Sequence, residues 1–423
     1  MVKLIQKEYS QFGETLYIAK LSSGLQLILL PKKGFRETVA MMSVGFGAMD
    51  TDFSYKGKLY HYPSGIAHFL EHKLFEAAQG EDVALQFSQL GADSNAYTSF
   101  DRTSYFFSTT GHVEKSLQLL QSFIVERHFT EQSIEREKGI IDQEIAMYQD
   151  DADDRLYQLL LAQLFPDTPM AQDIAGSSDS IAAISYKDLQ KNHDLFYTAD
   201  NRKLVVVGDF SPKDLAKVID DTEEMLTIPS TKKIEKIPIA YNPVIAKATV
   251  YQDIVSPKVA VGYRGLPLRE NQDPLRTKLV LQLFLDMLLG WTSQSYQGLY
   301  DTGLIDDRFD IEVECYGNLL FVVITADTYE PIALATKLQQ SINQIKDLPD
   351  VTEEHFQQVV YECYGAFLSE MDSPYDMAMQ LTRFSHYLQI PDMLKNISLE
   401  DVLREGLSFF ETADRAEIVM LPK

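Results

Sequence analysis

Gly65-Ile66-Ala67-His68-Phe69-Leu70-Glu71-His72-Lys73-Leu74-Phe75 carries two imidazoles four residues apart, with a carboxylate just before the second. On a helix, positions i and i+4 stack on one face, so His68 and His72 can both reach a single metal ion. Glu71 lies on the neighbouring strip of that face, close enough to take a proton from a water held there. The order H-x-x-E-H is the inverted form of the H-E-x-x-H zinc-peptidase motif. The spacing predicts a metal-bearing helix over 64–77.

Two histidines do not complete such a site, because catalytic zinc usually has three protein ligands and an open position for water. A helical pattern over 131–149 offers the missing donor. Its inward stripe reads Ile134, Glu137, Ile141, Glu144, Tyr148, in steps of three or four. Glu137 and Glu144 sit two turns apart, about 10 Å along the axis. Acid on a core stripe is costly unless paired or metal-bound. The two glutamates either pair with Arg or Lys from another helix, or one of them is the third ligand. The incomplete histidine pair favours the ligand reading.

The remaining sequence bounds the setting. With 423 residues and 45% hydrophobic content, two or three domains with real cores are affordable in size. A net charge of −24 argues against nucleic acid or an anionic membrane as partner. The N-terminal stretch lacks the apolar core of a signal peptide, and no run reaches the ~18 apolar residues that span a bilayer. Cys315 and Cys363 are the only cysteines, which fits a reduced, cytoplasmic setting and buried thiols rather than a disulfide.

Two segments about 213 positions apart read alike. Ile184-Ser185-Tyr186-Lys187-Asp188-Leu189, then Phe196-Tyr197-Thr198-Ala199-Asp200, precede the apolar run Leu204–Val207. Ile397-Ser398-Leu399-Glu400-Asp401-Val402, then Phe409-Phe410-Glu411-Thr412-Ala413-Asp414, precede Ile418–Leu421. Each reads as a capped helix, an aromatic pair, a turn and a buried strand, which indicates an internal duplication. The predicted division is 1–228, a proline-punctuated linker at 229–243, and 244–423. Strands at 25–30 and 39–44 and helices at 64–77, 81–90, 113–126 and 131–149 follow no regular βαβ alternation. The expected class is therefore α+β: two homologous domains, each a largely antiparallel sheet with helices packed on one face.

The stretch 65–75 resembles the signature of the pitrilysin/insulinase/mitochondrial processing peptidase family. So do Ser94-Asn95-Ala96-Tyr97-Thr98-Ser99, the following Thr103, Tyr105 and Phe106, and the seven-residue spacing of Glu137 and Glu144. The resemblance implies a half-size chain forming half of a clamshell and acting as a zinc metalloendopeptidase on peptides or small unfolded polypeptides. It implies that His68, His72 and Glu144 bind Zn2+, that Glu71 is the general base, and that Glu137 orients a ligand or water. It also implies a substrate-binding edge at Asn95, Ala96 and Tyr97, where a peptide adds as an extra strand. The plain alternative for Asn95 is a turn residue.

The second half keeps no copy of the metal site. Proteolytic members of the family usually place an Arg and a Tyr there to bind the scissile carbonyl. Here Gln294 or Ser295 stands for the arginine and Asp306 for the tyrosine. Donors of that kind are worth about 3 kcal/mol each. A related partner chain without zinc would supply both groups in a heterodimer, unless Tyr296 or Tyr300 substitutes locally. The rival reading is a non-catalytic scaffolding subunit; a complete H-x-x-E-H motif disfavours it. A third option is maturation of one specific peptide precursor.

Overall fold

The computed structural model describes residues 2–78 and 80–423. They form two compact units, Met1–Ala146 with Asp173–Pro238 and Glu370–Leu388, and Met147–Gln172 with Ile239–Ser369 and Gln389–Lys423.

The first unit holds β1 (Ile5–Tyr9), β2 (Glu14–Lys20), β3 (Gln26–Pro31), β4 (Thr38–Val44), β5 (Asp52–Tyr55), β6 (Lys58–His61), β7 (Ala92–Thr98), β8 (Thr103–Thr109), β9 (Arg202–Gly208) and β10 (Ile234–Lys236). Seven of them form a sheet in the order β1-β2-β3-β9-β4-β8-β7. Only β3 and β9 run parallel; the other pairs are antiparallel. The helices Ile66–Leu74, Val83–Gln89 and Val113–Val125 pack on this sheet, and their apolar faces meet Leu27, Leu29, Ala40, Met42, Tyr105 and Phe107 in one core.

The second unit holds β11 (Lys247–Gln252), β12 (Lys258–Arg264), β13 (Asp310–Tyr316), β14 (Leu319–Asp327) and β15 (Asp414–Pro422), in the order β11-β15-β12-β14-β13. Here β11 and β15 are the parallel pair. The order matches β3-β9-β4-β8-β7 strand for strand. The two similar segments occupy equivalent places: Ser185 and Ser398 each close a capping box at a helix start, and each helix leads into the strand shared by the parallel and antiparallel pairs.

The units are not the contiguous stretches 1–228 and 244–423. The helix Ala152–Leu164 packs on β12 and β15 of the second unit, and the helix Pro374–Arg383 packs on β4 and β9 of the first. Tyr375 of that helix meets Phe106 of β8 at 5.1 Å between rings, and Lys203 Nζ donates to Thr382 O at 2.8 Å. Each helix covers sheet surface that the other helices leave open, which is why every residue of β4 and of β12 is buried. The expected linker 229–243 also contains structure: β10 pairs antiparallel with β5, so Ile234–Lys236 is part of the first unit's small sheet. Cys315 is buried, whereas Cys363 is only half-buried. Among the described residues, no helix is long and apolar enough to cross a membrane.

Candidate metal centre

The motif helix runs Ile66–Leu74 and starts at Gly65, whose φ of +85° few side chains adopt. A Cβ at Gly65 would also stand 2.5 Å from the carbonyl oxygen of Ala175. Phe69 and Leu70 are fully buried, which anchors the helix and turns His68, Glu71 and His72 toward the second helix. That helix, Glu131–Asp150, buries Ile134, Ile141 and Ile145. Tyr148 is exposed rather than inward, because the buried stripe ends at Ile145. Glu137 and Glu144 lie along its border.

His68 Nε2 and His72 Nε2 face one another at 3.1 Å. Glu144 meets both, with Oε1 3.7 Å from His68 Nε2 and Oε2 3.5 Å from His72 Nε2. One donor atom from each of the three lies within 4.8 Å of the others, the only such trio of His, Cys, Asp or Glu among the described residues. Tetrahedral bonds of about 2.0–2.1 Å require donors roughly 3.3 Å apart. The observed separations bracket that value, so the trio fits a zinc ion.

The electrostatics agree with a cation site. Burial foremost, then the neighbouring His72, lowers the His68 pKa to about 3, so its ring is neutral and offers a lone pair. Burial also pulls His72 down, but the Glu137 hydrogen bond and the charges of Glu71, Glu144 and Glu137 outweigh it and hold its pKa above the ordinary value. The same negative field attracts a metal cation. Burial raises Glu71 to about 7, opposed by the hydrogen bond from Thr98 and by His72.

Two supporting contacts were not anticipated from the sequence. Lys73, buried, places Nζ 3.3 Å from Glu137 Oε2 and 2.6 Å from Glu76 Oε2, while Glu137 Oε1 is 3.1 Å from His72 Nδ1. Glu137 thus pairs with a lysine of another helix, one of the two readings its place on the stripe allowed, and also holds an imidazole, as the family resemblance implied. Thr98 Oγ1 donates to Glu71 Oε2 at 2.5 Å. Thr98 had a sequence signal, its place in Asn95–Ser99; Lys73 had only its adjacency to His72.

Asn95 and Ala96 line a cavity of about 560 Å³ together with Glu71, His72 and Phe75. They lie on β7, the last strand of its sheet. Asn95 is in the strand and not in a turn, and its Oδ1 accepts from Ala96 N at 2.8 Å. Tyr97 lies on the same strand and points its hydroxyl at Met41 Sδ, 4.0 Å away. In the second unit, Ser293 caps the helix Gln294–Asp301, which begins with Gln294 and Ser295. Asp306 is bound to Arg308 at 2.7 Å, and Tyr296 stacks on Tyr300 at 6.0 Å between ring centroids.

A pair of imidazoles on one helix, one buried and one half-buried, a carboxylate on a second and a glutamate beside them define the zinc-protease class with the inverted motif. The chain belongs to the insulinase family, peptidase family M16. Residues 57–178 match the profile of the insulinase domain, and residues 183–361 match that of the M16 inactive domain. It is similar to YmfH of Bacillus subtilis (strain 168), described as an uncharacterized zinc protease, with 36% identity over 411 residues and 95% of each chain covered. A Rickettsia felis protein, also described as an uncharacterized zinc protease, is 23% identical over 374 residues, covering 84% of this chain and 87% of that one. In fold, the chain matches an M16-like peptidase from Alicyclobacillus acidocaldarius with a TM-score of 0.91 and 27% identity, over 99% of this chain and 100% of that one. Pitrilysin matches in fold with a TM-score of 0.76 and 17% identity; all of this chain is covered but only 46% of pitrilysin. The resemblance and the α+β class read from the sequence are thereby borne out.

Proposed function

We propose that this chain is a zinc metalloendopeptidase acting on peptides or small unfolded polypeptides, and that it is the zinc-bearing subunit of a heterodimer. The observation that carries the reading is the meeting of His68, His72 and Glu144 with Glu71 one residue from a ligand. In this mechanism His68, His72 and Glu144 hold the ion. Zinc, when bound, acts as a Lewis acid that brings the pKa of water to about 7 and polarises a carbonyl oxygen. Glu71 takes the proton of the attacking water and returns it to the leaving amine. Glu137, held by Lys73, keeps the His72 Nδ1 proton in place, so that Nε2 is the nitrogen presented to the ion. The outer edge of β7 takes the substrate backbone as an added strand, with Asn95 bonding a peptide carbonyl.

The heterodimer rests on what the second unit offers. Gln294 and Ser295 are not cations, and Asp306 is committed to Arg308. A related partner would bring the arginine and tyrosine that stabilise the scissile carbonyl. Purification from the native host, followed by metal analysis and a quenched-peptide assay, tests the whole reading. It predicts about one zinc per chain, turnover abolished by Glu71→Gln, and a related chain in the active fraction. Zinc-free protein without peptide turnover would favour the scaffolding role.

A further inference from the structure

The hydroxyl of Thr98 is committed to the carboxylate of Glu71. Thr98 has one hydrogen to give, and two acceptors are near it: Glu71 Oε2 at 2.5 Å and Thr103 Oγ1 at 3.4 Å. Thr103 spends its own hydrogen on the carbonyl oxygen of Phe46 at 2.8 Å, so it cannot donate to Thr98. The shorter bond, to a carboxylate, is the charge-assisted kind and takes the Thr98 hydrogen.

The backbone holding Thr98 is itself fixed. Thr98 faces Thr103 at the end of the β7–β8 pair. The turn between them is tied to the segment after β4 by Ala48 N to Ser99 O at 3.0 Å and Met49 N to Phe100 O at 2.8 Å. That approach needs Gly47, where a Cβ would lie 2.5–2.6 Å from backbone atoms of Arg102 and Phe100. Glu71, in contrast, ends in a torsion that is broad and roughly two-fold. Its Oε1 accepts no hydrogen bond among the described residues, and the residue borders the cavity of about 560 Å³. One oxygen is therefore held and the other left to the cavity.

Resting on the peptidase reading above, we infer that Thr98 is a positioning residue for Glu71: its hydroxyl fixes Oε2 so that Oε1 points at the reacting water. The same strand carries Asn95 and Ala96, so the edge that lines up the peptide also orients the group that moves its proton. A misplacement of about 1 Å in such a group can cost up to ~100-fold in rate. A purely structural threonine would instead affect folding or metal content.

The test uses Thr98→Val and Thr98→Ser in the complex in which the protein purifies. Valine keeps the branched shape suited to a strand, and cavity water can take over the lost hydrogen bond. Thr98→Val should lower kcat about ten-fold or more while KM stays within roughly two-fold. Zinc content and the melting transition should match the wild type, and Thr98→Ser should restore kcat. Crystal structures of the zinc-loaded proteins should show the Glu71 carboxylate rotated or split in Thr98→Val and single in Thr98→Ser. Wild-type kcat in Thr98→Val, a loss that serine does not rescue, a parallel loss of zinc or fold, or an unmoved Glu71 carboxylate would each overturn the inference. If the zinc-loaded wild type turns over no peptide, the peptidase reading itself fails. If turnover depends on Glu71 but not on Thr98, only the inference fails.

Discussion

His72 Nδ1 lies 3.1 Å from Glu137 Oε1, so the acid seven residues before Glu144 holds the far side of an imidazole whose near side faces His68. Glu137 and Glu144 therefore differ in what their loss would do. Removing an outer carboxylate of this kind commonly costs about 10–100-fold in metal affinity, whereas removing a ligand leaves two donors where three are needed. Glu137→Ala should retain zinc in dilute solution and lose it to a weaker chelator than the wild type does. Glu144→Ala should fail to retain zinc through purification. Metal analysis across a chelator series decides this, and equal zinc content in the two variants would contradict the assignment.

Glu71 should separate binding from chemistry. Its carboxylate is not one of the three donors that converge, so Glu71→Gln should keep full zinc content while peptide turnover falls. General acid–base groups contribute roughly 10²–10⁴-fold, and the loss should sit at or above that range. His72→Ala should lose both zinc and turnover. Normal hydrolysis by Glu71→Gln would reject the proposed base.

These contrasts show which parts of the molecule could be read from sequence. His68, Glu71 and His72 were legible because helical periodicity alone brings i and i+4 together. Glu137 and Glu144 were legible because a carboxylate on an apolar stripe needs a reason. Lys73 was not: 64 residues separate it from Glu137, and nothing local distinguishes it from a surface lysine. The hydroxyl of Thr98 reaching Glu71 depends on how the β7–β8 hairpin lies across the motif helix, which no local pattern encodes. The unit boundaries were missed for a related reason. The helices Ala152–Leu164 and Pro374–Arg383 are amphipathic, and their sequences do not say which sheet receives the apolar face. In Ile234–Lys236 the prolines and lysines around the strand masked three residues that complete a small sheet.

Gly65 should prove indispensable to the site although it touches no donor. Its φ of +85° and the 2.5 Å approach of Ala175 O leave no place for a methyl group. A left-handed non-glycine residue costs about 1–3 kcal/mol before any clash is counted. Gly65→Ala should lower the melting temperature and, by shifting the first turn that carries His68, weaken zinc retention together with it. Calorimetry and metal analysis on the same sample check the pairing. A variant as stable as the wild type, with full zinc, would show that the start of the helix is more tolerant than its geometry indicates.

Asp286, on the helix Pro274–Leu289 of the second unit, gives a pH dependence separate from the metal centre. Burial raises its pKa from 3.8 to about 7, Glu362 adds to the rise, and the hydrogen bond from Gln282 opposes it. Below pH 3.8 the carboxyl is protonated in both states and has no differential effect. Between 3.8 and about 7 the unfolded chain releases the proton while the folded one keeps it, so stability falls as pH rises. Above that window the penalty is constant. That rise corresponds to roughly 4 kcal/mol at most, reduced by relaxation and water entry. Asp286→Asn keeps the Oδ1 that Gln282 donates to and removes the ionisation. The variant should match the wild type near pH 4 and exceed it increasingly toward pH 7.5 in denaturant midpoint, with the gain levelling off beyond. Midpoints that differ by the same amount at every pH would mean that Asp286 is ionised in the folded protein throughout.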